Sequence, residues 1–285
     1  MIGLKIIVKN NVIWRNNQGV LMPLSPPSEL SNLNFQDASE ILENSSSFLL
    51  RWESNFDSQH PTHWWHVIKS DHSDLSSLKK KTRYEVRKGL DAFCCEKVTK
   101  EVILTYGYFI YKKAFKRYNT HETLYSKEKF DSEIRNLPDD FFEFWIVKKQ
   151  IDGSPVAFAE NFVINDVCFY NTIWFDPDSL KSGVSYALFF EMNRHYLADR
   201  SFKYVSDGAR SLSHSTAIHD FLISKFGFRK AFATLNIAYK PWFKFLLLAI
   251  YPFRQIICKL SFGFSKKACV VLLQEEIYRK HFLND

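Results

Sequence analysis

The sequence predicts an α/β protein, an α+β mixed sheet with helices on its faces. From Phe93 to Tyr239 the hydrophobic pattern gives the order β-α-α-β-β-β-α-β-α-β. Three of these strands follow one another with only the turn signals "IDGS" and "ND" between them, which predicts an antiparallel meander. The strand-helix-strand unit that follows predicts a parallel crossover.

The part of the chain before Phe93 is less regular. We expect short strands in "LKIIV", "SSFLLRW" and "HWWHVI" and a loop in "PLSPPSELSNLNFQ". The stretch "DLSSLKKKTRYEVRKGL" predicts a helix that Asp74 or Ser76 caps and that Gly89 ends. We therefore expect an N-terminal lobe over 1–91, a principal domain over 92–241 and a helical or strand extension over 242–285.

The principal domain divides into well-marked elements. "FCCEKV" predicts a strand, "EVILTYGYFIYKKAFKRY" a long amphipathic helix, and Lys127 to Asn136 a second helix. The three meander strands are "FEFWIVKK", "PVAFAENFVI" and "VCFYNTIWF". A loop and a helix to about Ala198 come next, and then the strand "KYVSDG", the helix "STAIHDFLISKF" and the strand "FRKAFATLNIAY".

Composition limits the class of partner. The chain has 285 residues with 46% hydrophobic side chains, which is enough for a real core. The net charge of +7 favours an anionic partner, such as nucleic acid, a phosphorylated cofactor or a membrane surface.

Cysteine usage and the chain ends bear on location. Five cysteines without a CxxC spacing argue against a disulfide framework or a zinc site and favour a reducing compartment. Lys5 and Lys9 interrupt the hydrophobic residues at the N-terminus, so we expect that this segment is not a signal peptide. The uncharged run from Phe245 to Phe253 is nine residues long, too short to span a bilayer. We expect a cytoplasmic protein. Its hydrophobic C-terminal part can either pack on the sheet or make peripheral contact with a membrane.

The loop "SLKSGVS" opens the helix after the third meander strand, and it has two interpretations. It can be a simple turn in which serines cap the helix. It can also be a phosphate cradle, because a helix N-terminus has unpaired N–H groups and a partial positive charge, and Gly183 lets a phosphate approach the backbone. Lys181 adds a positive charge nearby.

The loop and three further segments resemble known transferases. Phe175, Pro177, Asp178 and Gly183 resemble the strand end V-x-P-E and the following Gln/Arg-x-x-Gly-x-Gly/Ala of the GNAT acyltransferase superfamily, although Leu180 replaces Gln or Arg. "HDFLISKFGFRKA" is similar to the family's helix-to-strand signature, with Ile223 where a Tyr general acid is frequent. "LKKKTRYEVRKGLDAF" and "VSDGA" resemble Fem-type (FemAB-like) transferases, which have two linked GNAT lobes. The resemblance implies a GNAT-like fold with a truncated N-terminal GNAT-like lobe.

The resemblance also implies a donor site. The co-substrate would be acetyl-CoA or another acyl-CoA. Its pyrophosphate would lie at Lys181, Ser182, Gly183, Val184 and Ser185. Its pantetheine arm would bind main-chain atoms of Ile173, Trp174 and Phe175, which can equally be an ordinary core strand.

Acyl transfer to an amine needs a group that accepts a proton. Glu160 interrupts an otherwise apolar strand and Asp207 ends another, so both are candidates. The alternatives are that Glu160 occupies a solvent-facing strand position and that Asp207 belongs to an Asp-Gly turn. His214 is a further catalytic candidate and Arg210 a substrate-binding one, unless both are plain loop residues. His60, His63 and His66 lack a Cys or carboxylate to complete a set, so we expect no metal.

Three functions follow from these residues. The first is an N-acyltransferase, an acetyltransferase acting on a small-molecule, glycan or peptide amine. The second is a Fem-type aminoacyl transferase that uses aminoacyl-tRNA on a cell-wall precursor. In that case the basic helix around Arg83 and Arg87 would bind the tRNA. The alternative is that this helix face is only exposed to solvent. The third is a catalytically degenerate binding protein with the GNAT fold.

Overall fold

The computed structural model describes residues 6–9, 12–17, 19–30, 33–117, 123–212, 217–260 and 263–282. In chain order its strands are β1 (Ile6–Lys9), β2 (Val12–Asn17), β3 (Val20–Pro23), β4 (Leu49–Ser58), β5 (Trp64–Lys69), β6 (Phe93–Val98), β7 (Phe142–Lys149), β8 (Pro155–Ile164), β9 (Val167–Phe175), β10 (Tyr204–Ala209) and β11 (Arg229–Tyr239). Its helices are α1 (Phe35–Glu43), α2 (Lys80–Ala92), α3 (Lys100–Phe115), α4 (Lys127–Arg135), α5 (Val184–Asn193), α6 (Ala217–Phe226), α7 (Pro241–Ile250), α8 (Arg254–Lys259) and α9 (Gly263–Phe282).

The chain divides into two compact units. The first consists of Met1–His66, Ala209–Thr216 and Lys230–Asp285, and the second of Val67–Gly208 and Ala217–Arg229. These limits differ from the boundaries expected from the sequence at 91/92 and 241/242. The difference arises because α2 packs against α5 in the second unit, whereas β11 pairs with β4 in the first.

The sheet of the second unit has the predicted mixed topology. Its strand order is β10-β9-β8-β7-β6. The pairs β6–β7, β7–β8 and β8–β9 are antiparallel, as expected for a meander. The β9–β10 pair is parallel, as expected for a crossover through α5.

Helices cover both faces of this sheet. On one face, Phe158 of β8 contacts Phe130 of α4 and Trp174 of β9 contacts Tyr111 of α3, with ring centroids 6.0 and 5.0 Å apart. On the other face, Phe175 contacts Phe189 of α5. Because side chains alternate along a strand, neighbouring residues of β8 and β9 face different helix pairs.

In the first unit the strands β1, β2, β3, β4 and β11 are neighbours in that order. The β3–β4 pair is parallel and the β4–β11 pair is antiparallel. Trp14 and Trp52 are buried with Ile41 and Leu42 of α1 in one core cluster. Trp64 and Leu235 form the centre of a second cluster that includes Ile277 of α9.

Three helices, α7 to α9, form the C-terminal segment. Cys258 and Cys269 form a disulfide between α8 and α9, with Cα atoms 4.9 Å apart. The expectation that the cysteines stay reduced is therefore wrong for this pair, because helix packing brings together two residues whose spacing has no motif. Within the described ranges, no helix is long and apolar enough to cross a membrane.

Candidate functional site

In the second unit, strands β9 and β10 are paired over only part of their length. The two strands pair only at Val167–Phe169 with Tyr204–Ser206. Beyond these pairs β9 continues to Phe175, and its other edge stays paired to β8. Ile173, Trp174 and Phe175 lie in this continuation of β9, where the ladder to β8 continues along one edge and the ladder to β10 has already ended. All three residues are half-buried.

Asp207 stands directly after the last β9–β10 pair. Its Oδ2 lies 3.3 Å from Nε2 of His219 in the first turn of α6, and both side chains are about nine-tenths buried. Burial raises the pKa of Asp207, which the hydrogen bond and charge of His219 only partly oppose. Burial lowers the pKa of His219, but Asp207 outweighs this effect and leaves it above the ordinary value. The two groups thus form a buried, hydrogen-bonded pair directly after the last β9–β10 pair.

The other predicted carboxylate, Glu160, lies elsewhere. It is 6% exposed in β8, opposite Thr172 of β9. Burial raises the pKa of Glu160 to about 7, against a hydrogen bond from Thr172 that lowers it. Glu160 shares the face of Phe158 under α3 and α4, whereas Asp207 bonds a helix of the α5 and α6 face. The structure therefore does not bring these two candidates together on one substrate group.

The predicted donor loop forms a 3₁₀ turn, Pro177–Ser182, before α5. Asp176 fixes its start, because its side chain accepts from the Asp178 N–H and pairs with Lys113 of α3 at 2.9 Å. Lys113 and the hydrogen bond to the Asp178 backbone hold the pKa of Asp176 below its ordinary value, although burial opposes them. Lys181 is exposed, Ser182 is half-buried and Val184 is buried.

Gly183 connects this turn to α5, and it is fully engaged within the protein. Its φ is +88°, a left-handed conformation that favours glycine. Its N–H donates to the Leu180 carbonyl at 3.2 Å, and its own carbonyl accepts from Ala187. A Cβ at this position would lie 3.0 Å from the Glu85 carbonyl oxygen of α2. The glycine is therefore required for close packing of α2, whether or not a phosphate binds.

The N-terminus of α5 retains polar groups that a donor can use. No side chain caps it. Because the first intrahelical bond is made by Ala187, the N–H groups of Val184, Ser185 and Tyr186 have no partner within the helix. Ser185 is half-buried and Lys181 is exposed beside them. A negatively charged group at this point would meet three amides and a partial positive charge of the helix.

Helix α2 borders this region and supplies further positive charge. It begins at Lys80, after an N-cap Lys79 that makes no side-chain cap, so the expected caps Asp74 and Ser76 are wrong. Gly89, expected at its end, lies inside it because it packs on Gly183. Lys88 donates from Nζ to the Lys181 carbonyl at 2.6 Å. This bond and the glycine contact fix α2 beside the turn.

The outer face of α2 combines basic and aromatic side chains. Lys80 and Arg87 are exposed, and Tyr84 between them is 65% exposed. Their spacing of four and three residues places them on one stripe. Arg83 differs, because its guanidinium donates to the Ser76 and Leu78 carbonyls and holds the segment before the helix.

Two predicted residues fall outside this site. Arg210 belongs to the first unit, where its Nη1 donates to the His63 carbonyl at 2.7 Å and its N–H donates to the Trp65 carbonyl. It therefore fixes the segment that contains the predicted histidine cluster. His214 lies outside the described residues.

The histidine cluster itself is divided in the first unit. His66 is buried with Nε2 3.6 Å from Glu53, whereas His60 and His63 are exposed. Among the described residues, no three His, Cys, Asp or Glu side chains are grouped as metal ligands would be.

A buried polar cluster in the second unit was not anticipated from the sequence. Tyr196, in a π-helical turn (Arg194–Asp199) after α5, donates to Glu143 at 2.9 Å and accepts from Trp145 and Asn161 at 3.2 Å each. Asn161 is fully buried and its Oδ1 has no hydrogen-bond partner. Sequence reasoning missed this cluster and His219 for one reason: their polar groups come together only in three dimensions, from elements far apart in the chain.

Comparison with known proteins bears on the fold. No protein-family model and no curated protein matches this chain. The chain is similar to the crystal structure of FemX, with a TM-score of 0.55 and 9% identity over 80% of this chain and 86% of that one. At this identity the likeness concerns the fold alone. The GNAT-like fold with Fem-type likeness that the sequence predicts is confirmed.

Two further solved structures are more distant. The C-terminal domain of a putative lysylphosphatidylglycerol synthetase from Agrobacterium fabrum has a TM-score of 0.46 and 12% identity, over 72% of this chain and 70% of that one. The PaiA N-acetyltransferase from Thermoplasma acidophilum, in complex with coenzyme A, has a TM-score of 0.31 and 17% identity, over 39% of this chain and 75% of that one. Because both TM-scores are below 0.5, the fold assignment depends on FemX.

Proposed function

We propose that this protein is an N-acyltransferase that moves an acyl group from acyl-CoA, with acetyl-CoA as the first candidate, to an amine. One observation carries the proposal. The strands β9 and β10 separate after Phe169 and Ser206, and this leaves main-chain groups of β9 next to the Asp207–His219 pair. An extended thioester arm needs such an opening, because it binds by main-chain hydrogen bonds as an added strand does.

The donor's phosphates have a separate place in this proposal. The pyrophosphate would accept hydrogen bonds from the amides of Val184, Ser185 and Tyr186 at the start of α5. Lys181 and Ser182 would lie beside it. Gly183 contributes differently from the expectation, because its own amide is bonded to Leu180. It allows α2 to approach and so shapes one wall of the site.

The chemistry assigns a role to Asp207. The amine nitrogen attacks the thioester carbonyl carbon, an amide C–N bond forms, and the C–S bond breaks. Asp207 accepts the proton that the amine loses, and the leaving thiolate takes up a proton in turn. His219 positions Asp207 through the 3.3 Å contact and keeps a compensating charge beside it. Glu160 lies on the opposite face and has no part in this step.

The proposal is tested by calorimetric binding of acetyl-CoA and by turnover with a panel of amines. Asp207→Asn should retain donor binding and lower kcat by about 10²- to 10⁴-fold. Ser185→Glu should weaken donor binding by about tenfold or more, because it places a negative charge at the phosphate position. The fold should be retained, since an acidic side chain at a helix N-terminus stabilises the helix. Ser39→Glu in the first turns of α1 is the matched control and should bind normally. No binding of any acyl-CoA by the wild-type chain would refute acyl-CoA as the donor.

A second donor is favoured by a specific observation, the exposed stripe of Lys80, Tyr84 and Arg87 on α2. Basic residues interleaved with an aromatic side chain suit the phosphates and bases of RNA. In that case the protein is a Fem-type aminoacyl transferase using aminoacyl-tRNA, and the acyl group leaves a ribose oxygen in place of sulfur.

Salt-dependent tRNA binding separates the two donors. The double substitution Lys80→Glu and Arg87→Glu should abolish tRNA binding and leave acetyl-CoA binding unchanged. Lys259→Glu with Lys267→Glu has the same charge change in the first unit and serves as the control. Donor binding without turnover, in the wild-type chain and in Asp207→Asn alike, would instead identify a GNAT-fold binding protein.

A further inference from the structure

The C-terminal segment has an unusual concentration of exposed apolar side chains. Of the thirteen large hydrophobic residues exposed in the described part of the chain, seven lie between Trp242 and Leu260. They are Trp242, Phe245, Leu246, Leu248, Phe253, Ile256 and Leu260, which we call the apolar ridge. Single exposed hydrophobic residues need no explanation, but a contiguous group marks an interaction surface.

Helix α7 is anchored to the first unit by a narrow stripe. Leu247 is buried, and Phe243 packs against Phe48 with ring centroids 4.5 Å apart. The opposite stripe contains Trp242, Phe245 and Leu246, which are 59%, 74% and 49% exposed. Trp242 precedes Phe245 by three residues and Leu246 by four, which places these three on the outward face of a helix that already has an inward one. Helix α7 is therefore packed against the first unit on one face and exposes apolar side chains on the other.

The charge of the segment is of one sign. From Lys240 to Leu273 the chain contains six Lys or Arg residues and no Asp or Glu. The six are Lys240, Lys244, Arg254, Lys259, Lys266 and Lys267. Lys244, Lys259, Lys266 and Lys267 are exposed beside the apolar ridge, whereas Arg254 pairs with Glu276.

A covalent bond joins the ridge to the helix that follows it. The Cys258–Cys269 disulfide connects α8, which contains Ile256, to α9, which contains Lys266 and Lys267. It holds an exposed apolar helix and a pair of exposed cations within one small structure. Cations beside an apolar face are the arrangement that binds an anionic bilayer surface.

We propose that the apolar ridge docks onto an anionic lipid bilayer. α7 lies along the headgroup region, its outward face enters the acyl boundary, and the surrounding lysines meet lipid phosphates. Self-association of two copies is disfavoured by the same charges, because it would bring two positive segments together. α7 has ten residues, so it lies on the membrane and does not cross it. This binding is independent of the proposed acyl transfer.

The test uses the full chain and vesicles of pure phosphatidylcholine or of equimolar phosphatidylcholine and phosphatidylglycerol. Flotation should recover the protein only with the anionic vesicles, and added salt should release it. The emission of Trp242 should shift to the blue, and brominated acyl chains should quench it. The two other described tryptophans that are not buried, Trp65 and Trp174, are only half-exposed and lie outside the ridge.

Substitutions distinguish the two contributions. Phe245→Ser with Phe253→Ser should lower the partition coefficient by about tenfold or more, since two exposed aromatic anchors are lost. Lys266→Gln with Lys267→Gln should lower it by about tenfold for anionic vesicles. Ile151→Ser is the control, because it removes an apolar side chain that is 91% exposed in the second unit. Absence of binding to anionic vesicles would overturn the proposal, and so would a dimer in light scattering that Phe245→Ser with Phe253→Ser dissociates.

Discussion

The contact between Gly89 and Gly183 makes a prediction whose size follows from geometry. In Gly89→Ala the new Cβ would lie against the Gly183 carbonyl oxygen, below the 3.0 Å that Cβ atoms keep from other heavy atoms. It would also lie 3.2 Å from both the backbone nitrogen and the Cβ of Ala187. Neither the carbonyl nor the nitrogen can rotate away, so α2 and α5 must move apart.

Two opposing effects determine the magnitude. Overpacking of this kind costs about 1–3 kcal/mol. Replacing a glycine inside a helix by alanine returns up to about 1 kcal/mol. Because a backbone carbonyl cannot yield, we expect a net loss of about 1–2 kcal/mol in the free energy of unfolding of the second unit.

Gly107→Ala in α3 is the matched control. Its Cβ would lie 2.9 Å from Ile103 Cγ2 and 3.1 Å from Phe130 Cζ, which are side-chain atoms and not backbone atoms. The helix-forming gain is the same in both variants, so their difference compares a contact with the backbone of α5 with a contact with side chains. Amide hydrogen exchange of α2 and α5 measures it locally, at about tenfold in rate per 1.4 kcal/mol. A Gly89→Ala protein as protected as wild type and as Gly107→Ala would refute the close approach.

Three further predictions concern buried groups and the disulfide. Glu160 has a pKa of about 7 against an ordinary 4.5, so the stability that it contributes is complete below the lower value and is lost as the pH rises through the higher one. Glu160→Gln should remove a pH-dependent loss of about 3 kcal/mol in the free energy of unfolding, measured by urea titration. If the free energy of unfolding of Glu160→Gln depended on pH as that of the wild type does, the burial of this carboxyl would be contradicted. Tyr196→Phe leaves the Trp145 and Asn161 donors without their shared acceptor and should cost about 2 kcal/mol or more, whereas Tyr106→Phe, 43% exposed, should cost nothing measurable. Iodoacetamide should label Cys258 and Cys269 only after reduction, while exposed Cys94 reacts in both states; loss of this disulfide, which closes 11 residues, should cost about 2–3 kcal/mol.

The order of elements from Phe93 onwards could be predicted because local signals were strong there. The strand bounds of β7, β8 and β9 are those of "FEFWIVKK", "PVAFAENFVI" and "VCFYNTIWF". Turn residues mark their ends, and Gly153 and Asn165 adopt the positive φ that such turns need. Periodicity and turn chemistry are local properties, and a sequence states them directly.

What could not be predicted depends on contacts between distant residues. The segment "PLSPPSELSNLNFQ" was expected to be a loop because it contains helix breakers, whereas its last two residues begin helix α1, which Asn34 caps. The partner of Asp207 was missed because His219 lies in a different element, helix α6. The carboxylate on β8 was identified as unusual, but its separation from Asp207 by the sheet requires the strand alternation to be known in space.

Gly183 shows why the same residue can support two functions equally in a sequence. A glycine before a helix is required for a phosphate to approach the backbone, and it is also required for a second helix to approach. Here the second requirement is met by Gly89 and the Glu85 carbonyl, so the presence of Gly183 carries no information about a phosphate. The evidence for a donor must then come from other groups, namely the amides of Val184 to Tyr186, which have no partner within α5, and the charge of Lys181. Substitution at Ser185 therefore tests the donor site, whereas substitution at Gly183 would test only the packing of α2.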